Sequence, residues 1–417
     1  MNRSSFAITG RQLCAAVALS AIAVAGCLCT PGSAVAEPIP VPDADPFYAA
    51  PPDLATLDNG AIVRSREIQP YQLTVGLPIK TWQVQYKSTD GTGGPTTGVT
   101  TVVVPTTPWT GPGERPLVSY QIAEDSLGTR CTTSYSIRAG LGAGGLLTNN
   151  TNFEAPITAL LLQRNWAVVL TDYQGPESHY LDGMQAAHGV LDGIRAALAF
   201  GPAGLSPKSP LGAMGYSGGS FATISAAVQQ PNYAPELHLD GIAVGGVGTD
   251  YGHALRVTNG SYYAGLGLLV LAGLNRSFPE ADIPSLLNDR GRTMLAENSQ
   301  SCGTEFLAKY MFANFDQYTA DPNIDMNPRI AALSEQARLQ QEVPAAPTYI
   351  WHSIGDELLP IVDTDALVQS WCAAGATVTY VRTSAPTHIG AALAGTPGAI
   401  DYLGQRFGGV AAPTGCG

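Results

Sequence analysis

Beyond residue 80 the hydrophobic positions change character in a definite order. Residues 82–88 (WQVQYKS) and 97–104 (TGVTTVVV) alternate apolar and polar positions and predict a strand pair. Six short apolar runs without alternation follow, at 116–122 (PLVSYQI), 166–171 (WAVVLT), 211–216 (LGAMGY), 239–246 (LDGIAVGG), 348–354 (TYIWHSI) and 377–381 (TVTYV). A strand buried on both faces reads this way, as in a parallel sheet. Helical stretches lie between several of them, at roughly 153–164, 184–200 and 219–230, with another at 391–406 after the last run. Strand and helix in alternation predict a doubly wound α/β sheet.

Two spans depart from this rhythm. Residues 37–80 are Pro-rich and weakly patterned, which reads as an N-terminal arm. Residues 250–340 hold no convincing strand but carry helical stretches at 262–274 (YYAGLGLLVLAGL) and 328–342. We read this span as a helical insertion covering the end of the sheet where sites lie, dividing the core into 81–249 and 341–417. The apolar stretch at 262–274 reads as core packing or as a substrate surface, and it is too short to span a membrane.

The first 36 residues read as an export signal. Arg3 and Arg11 give a positive start, residues 13–26 are apolar, and Ala34-Val35-Ala36 is a small-x-small cleavage site, so release after Ala36 is expected. Val24-Ala25-Gly26-Cys27 offers a lipoprotein-type alternative that would leave a lipid on Cys27. Cleavage after Ala36 removes three of the seven Cys and leaves Cys131, Cys302, Cys372 and Cys416. An even number in an exported chain predicts disulfides, with three connectivities open. No pair has C-x-x-C spacing and no His lies within four residues of these Cys, which argues against metal ligation.

Composition narrows the function classes. The 417 residues are 45% hydrophobic and 13% charged, which excludes a disordered chain. Removing Arg3 and Arg11 from the 21 basic residues leaves 19 against 33 acidic ones and takes the net charge from −12 to −14. An acidic chain of this kind offers no basic face to a nucleic acid.

The strongest chemical signal is Gly215-Tyr216-Ser217-Gly218-Gly219, a G-x-S-x-G pentapeptide. Alone it is weak, but an apolar strand runs into it and a small-residue helix runs out, the setting of a nucleophile elbow. Ser217 is therefore the candidate nucleophile. A serine hydroxyl needs a base to take its proton and a carboxylate to orient that base, in the chain order Ser, acid, His. His388, in a loop between the last strand and the last helix, is the candidate base. His352 reads as a buried core residue, His253 as solvated or capping, and His238 as lying at the wrong end of the sheet. Asp356 follows a strand through a single Gly and is the candidate acid, with Asp250 its rival, while Asp363 and Asp365 read as helix caps. The oxyanion needs the Gly218 amide and a second donor, for which any residue from Glu124 to Gly128 qualifies.

These residues resemble the secretory lipases of the fungal lipase A type and their actinobacterial relatives. The resemblance rests on SYQIAEDS at 119–126, TDYQGPESHYLDG at 171–183, LDGIRA at 191–196, GYSGG at 215–219, GDELLP at 355–360 and THIG at 387–390. It implies an α/β-hydrolase fold, a mostly parallel central sheet flanked by helices, with the inserted span as a lid over an acyl-binding tunnel. It implies Ser217, Asp356 and His388 as the triad and the Asp125 and Gly218 amides as the oxyanion hole. It also implies disulfides Cys131–Cys302 and Cys372–Cys416, and a structural or pocket-edge role for Asp172. The expected function is a secreted ester hydrolase acting on lipid or other acyl esters such as triacylglycerols, in transient contact with a lipid–water interface. This chemistry needs no metal or organic cofactor. An acyltransferase using the same triad and a non-catalytic surface protein are the alternatives.

Overall fold

The alternating pair and the six apolar runs all become strands of one sheet in the computed structural model, which describes residues 39–71, 77–140, 150–336, 342–413 and 416. The export signal and Cys27 lie outside the described residues. The strands are β1 (Ile62–Glu67), β2 (Ile79–Thr89), β3 (Pro95–Pro105), β4 (Leu117–Gln121), β5 (Ala167–Thr171), β6 (Leu211–Tyr216), β7 (Gly241–Gly245), β8 (Thr348–Ser353) and β9 (Val378–Thr383). Their spatial order is β1-β2-β3-β5-β4-β6-β7-β8-β9. From β5 through β9 every neighbouring pair is parallel, and β1, β2 and β3 extend the sheet antiparallel on the β5 side. Every residue of β4 through β8 is buried, the physical reason those runs show no alternation.

Helices cover both faces. The helices α3 (Gly183–Ala199) and α4 (Gly218–Tyr233) pack one face through residues such as Leu191, Ile194 and Ala222, against Val84, Leu117 and Ala213. Leu367 and Trp371 of α10 (Ile361–Ala373) close a smaller cluster with Ile224 of α4 and Val244 and Ile350 of the sheet. On the opposite face, α2 (Asn150–Gln163) and α11 (His388–Phe407) set Leu161, Ile400 and Leu403 against Val168 and Met214. A short helix, α1 (Thr133–Ala139), follows the β4 loop.

The structure departs from the sequence reading in three places. Residues 37–80 hold an edge strand, β1, whose six residues include none that is buried. Its backbone pairs with β2 and its Arg66 bonds Asp45 at 2.8 Å, so it is held by the sheet edge and an ion pair and shows no apolar periodicity. The helices α1 and α10 are additional. Between β7 and β8 lie α5 (Tyr251–Thr258), α6 (Ala264–Ser277), α7 (Asp289–Glu297), α8 (Gly303–Tyr310) and α9 (Pro328–Gln336). They share a core of their own that includes Leu255, Leu268, Leu271, Phe306, Phe315 and Ile330. Leu268, Leu269, Leu271 and Leu274 of α6 have no exposed surface, so the helical part of the 262–274 stretch is core packing, while Tyr262 before it is half exposed.

Candidate active site

The end of β6 passes into α4 through Ser217, whose φ of 54° and ψ of −124° place it in a backbone region that L-residues rarely occupy. The glycines around it answer to close approaches. A Cβ on Gly215 would lie 2.2 Å from the Gly219 carbonyl oxygen, and one on Gly219 would lie 1.9 Å from the Gln121 carbonyl oxygen of β4. Strand, turn and helix therefore pass with only backbone between them. The strained turn lifts the Ser217 side chain above the carboxyl ends of the parallel strands.

His388 and Asp356 reach the same place from later elements. Ser217 Oγ lies 2.9 Å from His388 Nε2, and His388 Nδ1 lies 2.7 Å from Asp356 Oδ2. His388 opens α11 as its first residue rather than standing in the loop before it, and the Thr387 side chain caps that helix. Its position is fixed on two sides, because its amide donates to Glu357 Oε2 at 2.8 Å and its carbonyl accepts from Tyr216 Oη at 2.6 Å. The Tyr216 ring also tilts against the imidazole, with ring centres 4.9 Å apart. Asp356 Oδ1 accepts from the amides of Leu358 and Leu359 at 3.0 and 2.8 Å. Burial alone would raise this carboxyl, but donors from His352, His388 and Leu359 outweigh it and hold the group well below the usual carboxylate range.

The loop after β4 brings Asp125 beside the serine. Asp125 has φ 39°, and a Cβ on Gly218 would lie 2.0 Å from its Oδ1, so only glycine at 218 leaves room for this carboxyl. Oδ1 is buried without a hydrogen-bond partner, and burial pushes the Asp125 carboxyl up to about 6 against the pull of His388. Around it stand Glu154, bonded to the Ala123 amide at 3.0 Å and to Tyr120 Oη at 2.6 Å, and Glu124, bonded to the Thr133 amide at 3.0 Å. On the cap side, a Cβ on Gly303 would lie 2.2 Å from the Asp125 carbonyl oxygen, so the start of α8 presses directly on the loop. Cys131 is bonded to Cys302, tying the turn after that loop to the start of α8, and Cys372 is bonded to Cys416.

The remaining candidates go elsewhere. Asp250 caps α5, accepting from the His253 amide at 2.9 Å. Asp363 and Asp365 lie inside α10 and cap nothing. Asp363 bonds His253 Nδ1 at 3.0 Å and Asp365 bonds Tyr380 Oη at 2.9 Å. Asp172 holds the start of α1 through the Ser134 amide at 2.8 Å, a structural place. His238 is 88% exposed beside Asp240, before β7. Among the described residues, no group of three or more His, Cys, Asp or Glu is placed to hold a metal ion. Sequence reasoning missed Glu357, Tyr216 and the second histidine on Asp356, His352. The only trace of the last is the four-residue spacing of His352 and Asp356 across a strand end.

Residues 143–415 match the family model described as secretory lipase. The chain belongs to the secretory lipase family. Among its relatives, Lipase A of Arthroderma benhamiae is 33% identical, across 91% of this chain and 82% of that protein. A Mycobacterium tuberculosis protein described as a probable inactive lipase is 34% identical, across 88% of this chain and 83% of that protein. The crystal structure of Candida antarctica lipase A in its closed state superposes with a TM-score of 0.83 at 28% identity, covering 91% of this chain and 89% of that one. This secretory lipase therefore has the α/β-hydrolase fold, and its relatives point to ester bonds as the substrate class. Two disulfides accord with an extracellular setting, and among the described residues no helix is long and apolar enough to cross a membrane.

Proposed function

We propose that the protein is a secreted serine ester hydrolase, released by cleavage after Ala36, that cleaves acyl esters such as triacylglycerols. The unbroken hydrogen-bonded chain from Ser217 Oγ through His388 to Asp356, at 2.9 and 2.7 Å, carries this reading. Ser217 Oγ attacks the ester carbonyl carbon while His388 Nε2 accepts its proton, and Asp356 holds the imidazole tautomer and stabilises its cationic form. The amides of Gly218 and Asp125 stabilise the oxyanion. The C–O bond of the leaving alcohol breaks as His388 returns the proton to it. Water then attacks the acyl-Ser217 ester by the same route and frees the acid. The name given to the mycobacterial relative concerns that protein. In this chain all three members are present and mutually bonded, which supports turnover over a non-catalytic role.

The span 250–340 serves in this reading as a cap over the site. His388 is only 2% exposed, and Tyr263, just before α6, donates to Glu357 Oε1 at 3.0 Å, linking the cap to the carboxylate that holds the His388 amide. The test is hydrolysis of p-nitrophenyl acyl esters from short to long chains. Ser217→Ala is expected to lower turnover by about 10⁴-fold or more in a chain that still folds. Retained activity in that variant sinks the assignment, and the chain-length profile of the wild type defines the acyl preference.

A further inference from the structure

Asp356 is shared by two histidines. The second, His352, is the next-to-last residue of β8 and has no exposed surface. Its Nε2 lies 3.2 Å from Asp356 Oδ2, the oxygen that also receives His388, and 2.8 Å from the Leu359 carbonyl oxygen. A carbonyl oxygen only accepts, and Asp356 is ionised, so Nε2 must carry hydrogen and donate. Its Nδ1 faces Thr364 Oγ1 at 2.7 Å, and that hydroxyl also stands 3.1 Å from the Val247 carbonyl oxygen. Each nitrogen of this buried ring therefore has a fixed partner, and the ring is clamped between the β7 end, the α10 start and the turn that carries Asp356.

We propose that His352 is a positioning residue: its Nε2–H holds the Asp356 carboxylate in the rotation that His388 requires and limits how strongly that carboxylate attracts the His388 proton. The proposal rests on the Ser217–His388–Asp356 reading. The lone pairs of the Asp356 carboxylate are divided among four donors. Oδ1 is occupied by the Leu358 and Leu359 amides, and Oδ2 divides between two imidazoles. Without His352, one lone pair of a buried carboxylate loses its partner. The remaining pair with His388 strengthens as the imidazolium form gains, and the carboxylate is freer to rotate. The charged and titratable groups nearby are Asp356 and Glu357 on the turn, His388 on α11, Asp363 on α10 and its partner His253 on α5.

The experiment compares His352→Leu, which fills the space without a donor, with His352→Gln, which returns an N–H near the position of Nε2. In folded His352→Leu, kcat on a p-nitrophenyl ester is expected to fall about tenfold with KM unchanged, the scale of one lost hydrogen bond. The acid limb of its pH profile is expected to move to higher pH, because the His388 proton is held more tightly. His352→Gln should restore most of both. Wild-type kcat and acid limb in His352→Leu would overturn the proposal, as would equal losses in both variants with no movement of the limb. If the Leu variant fails to fold, ¹⁵N spectra of histidine-labelled wild type decide: a protonated His352 Nε2 across the active range supports the assignment, and a bare Nε2 overturns it. Failure of the underlying triad shows separately, as activity retained in Ser217→Ala.

Discussion

The Asp356 carboxylate is fully buried, and it stays ionised only because donors surround it. The rival acid, Asp250, meets a helix end and nothing of the site. The two therefore separate cleanly by substitution. Asp356→Asn is expected to cut kcat by about 10⁴-fold, since the amide presents the wrong group to His388 Nδ1. Asp250→Asn is expected to leave kcat within a few-fold, because Asn caps a helix as well as Asp does. Side-by-side kcat values for the two folded variants check this, and the opposite order would mean the wrong carboxylate is assigned. At this scale the sequence is informative where local rules operate. Ser217 is legible from glycines that a strained turn demands, and Asp356 and His388 from their places after strand ends. His352 is not, because its role depends on a ring in β8 turning back onto a carboxylate that only the folded turn brings beneath it.

Among the elements, the loop after β4 depends most on support from afar. Asp125 sits in it at positive φ, and α8 reaches it from the cap through Gly303 and through the bond between Cys131 and Cys302. That disulfide spans 171 residues, whereas Cys372–Cys416 spans 44. Loop-closure entropy makes the longer link worth about 1 kcal/mol more. Thermal unfolding should therefore show a larger loss for Cys131→Ala/Cys302→Ala than for Cys372→Ala/Cys416→Ala. The first pair should also lose esterase activity at temperatures where it remains folded, because the loop bearing Asp125 loses its anchor. A larger loss from the second pair, or full activity in the first, would contradict this account. Strands β4 to β8 were readable because complete burial removes alternation from sequence, whereas β9, last in the strand order, buries only Val378 and is not covered on both faces as its apolar run predicts. Edge strand β1 was not, because its pairing is a matter of backbone bonds and its side chains follow no apolar period.

For the molecule as a whole, the burial of carboxyls sets the response to pH. Burial pushes Asp125 up to about 6, Asp172 to about 7 and Glu154 to about 8, and raises Glu124 as well. A carboxyl raised on folding binds its proton more tightly in the folded state. Its stabilisation is therefore complete below its ordinary value, near 4, and is lost as pH rises through its folded value. Asp356, which is lowered, contributes fully above its ordinary value, near 4, and loses that contribution progressively as pH falls below it. The melting temperature is thus expected to fall as pH rises from about 5 to about 8, and Glu154→Gln should flatten the upper part of that decline. A melting temperature that climbs over this range would refute the assignment of these groups. Burial, turn strain and strand ends are local constraints written in residue type, and they make legible the alternating α/β architecture, the helical span between two strands, the serine elbow and the residues competing for base and acid. Folding is what brings His388 onto Asp356 and Ser217, turns Asp250 to a helix end and His352 onto the shared carboxylate, and packs α6 into a core. The triad and the α6 core depend on side chains that converge from segments far apart in the chain, and packing also decides how a strand end or helix start turns where the partners, Asp250 and His253 or His352 and Asp356, lie within four residues of each other.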